Sequence, residues 1–289
     1  MTNNALEIKN LNVSVGNFSI TDLNLNLEKG TIMGLVGKNG SGKTTLIKSI
    51  LDMVPRKSGE VLFNGIPMYG NEKTVKAKIG VVFDNLIFPL NLKPLKIKNM
   101  MSPFYEAFDH EKFSRLMKRF ELDPKKKLSA YSRGMQTKFG VVMALCHNPD
   151  IIILDEPTAG LDPVARADLL YLLMELMQSE EKSILFSTHI TSDLEKIADY
   201  ITLIDNGEII LSQSKDELVE KYTLFSVEKE RMTEQLKSEI VGLRETAFTF
   251  EGLTCNKNKI LGIPGIRTSR ASIEDIMVCL TGKRGEQDD

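Results

Sequence analysis

Residues 37–45 read Gly-Lys-Asn-Gly-Ser-Gly-Lys-Thr-Thr, a fit to G-x-x-x-x-G-K-[ST]. They lie between a short apolar run, Ile32–Val36, and a segment in which Leu46, Ile47, Ile50 and Leu51 recur at helical spacing. Strand, glycine-rich loop and helix, in that order, are the context in which this motif binds phosphate. Gly37, Gly40 and Gly42 let the backbone N–H groups of the loop, including those of Asn39 and Ser41, curl around phosphate oxygens without side-chain interference. The helix that starts here points its positive end at the same anion. Lys43 is spaced to reach the terminal phosphates as a point charge. The Thr44 hydroxyl, with Thr45 beside it, is spaced to meet a magnesium ion.

The rest of the chain reads as strands and helices built around that loop. Leu11, Val13 and Val15, and then Leu23, Leu25 and Leu27, alternate with period two and mark half-buried strands. Val61–Phe63, Ile79–Phe83, Ile151–Leu154 and Ile184–Ser187 are further strand candidates. Helical stripes run through Phe113, Leu116, Met117 and Phe120, through Met135, Phe139, Val142, Met143 and Cys146, and through Leu170, Leu173, Met174 and Met177. Asp162-Pro163 reads as a helix cap followed by proline at the first helical position, and Ser192 to Glu195 as a capping box. Asn206-Gly207 reads as a type I′ hairpin turn. The expected fold is α/β, a mostly parallel sheet with helices on both faces. Residues after about 215 are less periodic and read as a small α+β extension ending in the polar segment Lys283–Asp289.

A second motif narrows the chemistry. Ile151–Leu154 delivers Asp155 and Glu156 to the carboxyl end of a buried strand, where ligands sit in such sheets. Asp155 is placed to hold magnesium, and Glu156 to accept a proton from an attacking water as general base. No N-K-x-D base-reading motif is present, which disfavours a GTPase. Composition excludes other classes. The chain has 289 residues, 37 Lys+Arg against 39 Asp+Glu, and no bulk basic field for nucleic acid. No run approaches the roughly 18–20 apolar residues of a membrane helix, and the N-terminus lacks a signal-peptide pattern, so the expected location is cytoplasmic. The three cysteines form no C-x-x-C pair and the three histidines no metal-ligand spacing. Residues 90–130 carry ten Lys/Arg and five Asp/Glu, a local balance of +5 that reads as a solvated helical insertion or as a surface near anionic lipid.

With these motifs in order, residues 5 to about 215 resemble the nucleotide-binding subunits of ABC transporters. Tyr131-Ser132-Arg133-Gly134-Met135 is similar to the family's signature loop, usually L-S-G-G-Q, with Arg133 for the first glycine and Met135 for glutamine. Asp162 falls in the family's D-loop, and His189 matches its switch histidine. Asp84 stands where the family usually has a magnesium-sensing glutamine. Val15 stands where an aromatic usually stacks on adenine, and Phe18 is the nearby substitute or a core residue. The resemblance implies an ABC-type ATPase over residues 1–218, with an antiparallel β subdomain, a helical subdomain at about 84–147, and an accessory, dimerising or regulatory extension over 219–289. It also implies ATP and Mg2+ as cofactors. ATP would be sandwiched between the phosphate loop of one subunit and Ser132–Gly134 of another, in a homodimer or heterodimer. It implies separate membrane permease subunits and no nucleic acid, and so a cytoplasmic protein held on the inner face of the cell membrane. Arg133, Asp84 and the tail around Ile273–Gly282 resemble a Gram-positive exporter subgroup that includes exporters of phenol-soluble modulins, small amphipathic toxin peptides. Drug or antimicrobial-peptide export is an alternative, as is a soluble ABC-type ATPase uncoupled from transport.

Overall fold

The computed structural model describes residues 3–179, 182–261 and 263–282. The chain opens with two long strands, β1 (Asn4–Val15) and β2 (Phe18–Glu28). β3 (Ile32–Val36) runs through the glycine loop into α1 (Lys43–Ile50). β4 (Arg56–Phe63), β5 (Ile66–Pro67) and α2 (Glu72–Lys76) precede β6 (Ile79–Val82). Three helices follow without an intervening strand: α3 (Pro94–Met101), α4 (His110–Arg119) and α5 (Arg133–Leu145). Alternation then resumes with β7 (Ile151–Asp155), α6 (Pro163–Ser179), β8 (Ser183–Thr188), α7 (Thr191–Ile197), β9 (Tyr200–Asp205) and β10 (Glu208–Ser214). The last part comprises α8 (Lys215–Lys221), β11 (Thr223–Glu228), α9 (Glu234–Ser238), β12 (Gly242–Glu245), β13 (Thr249–Thr254), α10 (Lys257–Ile260), β14 (Arg267–Arg270) and α11 (Ile273–Gly282).

The central sheet has the order β10-β9-β3-β8-β7-β6. The five strands from β9 to β6 are parallel, and β10 is an antiparallel edge. β3, β7 and β8 are buried along their whole length, as strands covered on both faces must be. Successive residues feed different cores. Ile151 and Ile153 join Leu6, Leu11, Leu46 and Ile47, while Ile152 and Leu154 join Phe139, Leu173 and Leu194. One face is thus covered by α5, α6 and α7. The other is covered by α1 and by a second, antiparallel sheet of order β2-β1-β4-β5. The first-strand alternation ends before Val15, which is 45% exposed at the hairpin turn.

The β9–β10 turn has Asn206 at φ 48° and Gly207 at φ 81°, as a type I′ turn requires. The capping box at Ser192 does not form. The α7 helix begins at Thr191, its cap position is Ile190 with no side-chain acceptor, and the Ser192 hydroxyl accepts instead from Arg166 Nη2 at 2.8 Å. A long-range cation took the hydroxyl that a local cap would have used. The C-terminal strands form a third sheet, β12-β13-β11-β14, all antiparallel. Residues of α11 and β13, among them Ile273, Ile276, Cys279 and Leu253, continue the main core through Leu194 and Ile197 of α7. On the other side of β11, Phe225 and Val227 close a small core with Leu236 and Ile260. The polar segment 283–289 lies outside the described residues.

Candidate functional site

The carboxyl ends of β3, β7 and β8 converge on one cleft of about 270 Å³, lined by Phe18, Asn39, Gly40, Lys43, Thr44, Asp84 and Glu156 among others. The loop at its floor is shaped by its glycines. Gly42 sits at φ 109°, and a Cβ there would stand 2.5 Å from the Phe18 ring. At Gly37 a Cβ would meet the carbonyl oxygen of Ile204 at 2.3 Å. The first N–H groups of α1 have no intrahelical acceptor by construction, and Leu46 N is the first to find one, at Gly42 O. Ser41 is buried, yet its hydroxyl has no protein partner. An orphaned donor in a ring of backbone N–H groups fits a phosphate oxygen.

Lys43 is 6% exposed and folds back over the loop. Its Nζ donates to Gly37 O at 2.8 Å and to Lys38 O at 3.2 Å, and lies 3.4 Å from Glu156 Oε1. Next to it the Thr44 hydroxyl donates to Asp155 Oδ2 at 2.8 Å, and the Ser187 hydroxyl donates to Oδ1 at 2.6 Å. Asp155 is 1% exposed, so these two hydroxyls satisfy a carboxylate that burial would otherwise penalise. Ser187 was not among the sequence candidates. Its signal was position, two residues before His189 at the end of a buried strand.

Glu156 leaves the strand in the left-handed region, at φ 52°, uncommon for a side chain of this size. That turn brings its carboxylate back between Lys43 and His189. Oε1 faces Lys43, while Oε2 lies 2.8 Å from His189 Nδ1 and accepts from the His189 backbone N–H at 3.3 Å. The backbone N–H of Glu156 is held by Ser187 O and Oγ. The structure therefore brings together Lys43, Thr44, Asp155, Glu156 and His189 from three parallel strand ends. Phe18 joins them from β2, with its ring edge against Gly42 and Gly207.

Ser132, Gly134 and Met135 do not line this cleft. Ser132 caps α5, accepting from Met135 N at 3.2 Å. Gly134 packs beside Leu161, where a Cβ would stand 3.0 Å from Leu161 Cδ2. Gln136, which the sequence reading passed over, donates to Leu128 O and Tyr131 O and pins the loop from behind. Asp162 accepts from Val164 N and Ala165 N, which cap α6 and hold its carboxyl below the usual carboxylate range. One turn on, Arg166 Nε donates to the fully buried Asp193 at 2.6 Å. Arg166 and Asp193 tie the helix after Asp162 to the helix after His189.

A glycine cradle with its lysine, and a strand-end Asp-Glu pair hydrogen-bonded to the cradle threonine, define a P-loop nucleoside triphosphatase. The sequence profile of the ABC transporter family matches residues 20–159. The ABC transporter ATP-binding protein YtrB of Bacillus subtilis is 31% identical over 220 residues, covering 75% of this chain and 74% of that protein. The lantibiotic transport ATP-binding protein SrtF of Streptococcus pyogenes is 32% identical over 217 residues, covering 73% of this chain and 91% of that protein. A dimeric ATP-binding cassette, MJ0796, in a post-hydrolysis state with ADP and Pi, superposes with a TM-score of 0.65 at 25% identity, covering 72% and 98% of the two chains. The chain belongs to the ABC transporter family, as one of its ATP-binding, ATP-hydrolysing subunits.

Proposed function

We propose that the chain is the motor of an export system, which couples ATP hydrolysis between two subunits to movement of separate membrane permeases. The observation that carries this reading is the separation within one chain of the phosphate cleft from the capped signature helix. A cleft lined by Lys43, Thr44 and Glu156 but not by Ser132–Met135 is half a site. A second chain, as in the dimeric MJ0796 cassette, supplies the other half. Closure around ATP then supplies the differential affinity that shifts the open–closed equilibrium. The residues fit magnesium as well. Thr44 and Asp155 offer one hydroxyl and one carboxylate, the sparse protein set that magnesium takes when phosphates and water complete its shell. The ion would be held by Thr44 and Asp155 and would supply neutralisation of phosphate charge, while Glu156 takes the proton of the attacking water and His189 orients Glu156. Asp84, at the rim of the same cleft, is a further candidate for the outer sphere of the ion.

Several surfaces support the coupling. No described helix is long and apolar enough to cross a membrane, and the permeases of this reading are separate polypeptides. An apolar groove between Ile79, Phe83, Ile87, Met101, Phe108 and Met143 adjoins Asp84, with Ile87 65% exposed. It suits a permease helix, which on this reading would hold the protein at the inner face of the cell membrane. We take the cargo class to be amphipathic peptide, because a lantibiotic-transport protein is among the relatives. Phenol-soluble modulins are the first peptides to assay.

The test of the shared site is the mass of Glu156→Gln protein with and without ATP. A dimer with ATP and a monomer without it is expected, and a monomer at saturating ATP would sink the reading. Absence of any permease from a tagged complex purified out of membranes would reject the coupling. For the cradle, Lys43→Ala should weaken nucleotide binding about tenfold or more, the size of a lost charge-assisted phosphate contact, in a titration with a fluorescent ATP analogue. Unchanged affinity would remove Lys43 from phosphate binding. Phe18 is the proposed base-stacking residue. Phe18→Ala should lower ATP affinity at least about fivefold and leave binding of inorganic tripolyphosphate alone. Equal losses for both would make Phe18 a wall of the phosphate loop instead.

A further inference from the structure

Two of the motif positions that depart from the family pattern touch each other. Arg133 Nη2 donates to Asp84 Oδ1 at 2.6 Å. Asp84 lines the phosphate cleft with Lys43, Thr44 and Glu156, and it also lines the neighbouring cavity with Arg133 and Gln136. Arg133 opens α5 directly after the Ser132 cap, and its stem passes the D-loop, 3.5 Å from the position a Cβ on Gly160 would take. The pair therefore spans from the subunit's own nucleotide cleft to the loop that, on the dimer reading above, faces the partner's nucleotide.

Charge makes the placement informative. A cation in the first turn of a helix opposes the helix dipole, so Arg133 does not serve α5 itself. A carboxylate beside it offsets that misfit. Arg133 also retains several donors in its fork beyond the one spent on Asp84, and its side chain is 59% exposed. We propose that Asp84 is a stand-in anion: it holds Arg133 within the isolated subunit and competes with the terminal phosphate that the partner presents on closure. Closure exchanges the carboxylate for the phosphate as the acceptor of Arg133. The state of the cleft at Asp84 and the grip of the signature loop on the other nucleotide thereby become coupled. Both residues are positioning residues here, and the proposal rests on the shared-site reading.

The experiment uses the full chain carrying Glu156→Gln and measures the ATP concentration at half-maximal dimer formation by light scattering. Asp84→Asn removes the competing charge at nearly constant size and should lower that concentration about two- to fivefold, the scale of one exposed ion pair. Arg133→Ala should raise it about tenfold or more. On the Arg133→Ala background, Asp84→Asn should have no further effect, because the two act through one contact. Binding of a fluorescent ATP analogue to dilute monomer, measured in parallel, separates a change in the cleft from a change in closure. A dimer whose ATP requirement ignores Asp84→Asn, or an Asp84→Asn effect that persists without Arg133, would overturn the latch alone. No ATP-dependent dimer with any variant would overturn the latch and the shared site together.

Discussion

Glu156→Gln is expected to cut ATP turnover by about 10²- to 10⁴-fold, the range for loss of a general base, while ATP binding persists or tightens. The geometry argues for both halves. Glutamine keeps the shape of Glu156 and an oxygen for the His189 contacts now made at 2.8 and 3.3 Å. It cannot take a proton from water. It also removes a negative charge from 3.4 Å beside Lys43, so no carboxylate competes with the phosphates for the cation. Phosphate release in single-turnover mixing measures the first half, and equilibrium titration with ATP the second. Turnover at the parent rate would take the base role away from Glu156, and loss of binding would show that the carboxylate organises the cleft instead.

Arg166→Ala is expected to destabilise the fold by about 3–5 kcal/mol, more than any other exposed-side substitution we would choose. Asp193 has no exposed side-chain surface, and Arg166 meets one of its oxygens at 2.6 Å. The other oxygen already lacks a partner. Truncating Arg166 leaves a buried carboxylate with no compensating charge, and frees the Ser192 hydroxyl as well. The urea midpoint should fall with the slope m unchanged. The double variant Arg166→Ala with Asp193→Leu should recover much of the loss, because removing both charges lifts the burial penalty. If the single and double variants lose equal stability, packing of the Arg166 stem, not charge, is the cause.

The parts of the site that were legible in the sequence are those whose partners lie close along the chain. Gly37–Thr45 carries its own context of strand and helix, and Asp155-Glu156 ends a run of four apolar residues. Pairs formed across the fold were not legible. Arg166 and Asp193 are 27 positions apart on separate helices and look like ordinary solvated charges until α6 and α7 pack. The same contact explains the failed capping box, because local rules assign Ser192 to its own helix end. Phe18 occupied an intermediate position. Its nearness to Val15 suggested a role, but only the hairpin register Val15 to Phe18 carries its ring over to Gly42. The C-terminal sheet was obscured by its short strands, such as Gly242–Glu245 and Arg267–Arg270, whose burial patterns lack clean alternation. The central strands, buried on both faces, were easy to locate, but their apolar runs did not show that one cover would be a sheet and not helices.

The backbone of Glu156 has an implication for how variants of this chain would fare under selection. At φ 52° a glycine relieves about 1–2 kcal/mol of steric cost, and asparagine part of it. Directed evolution for heat tolerance alone, with no demand for turnover, would therefore enrich replacements at this residue wherever that relief exceeds the loss of its contacts with Lys43 and His189. Such survivors would have lost the carboxylate proposed as the general base. Any stabilisation campaign on this protein needs a hydrolysis screen run beside it, because relief of strain at this one residue would remove the proposed general base.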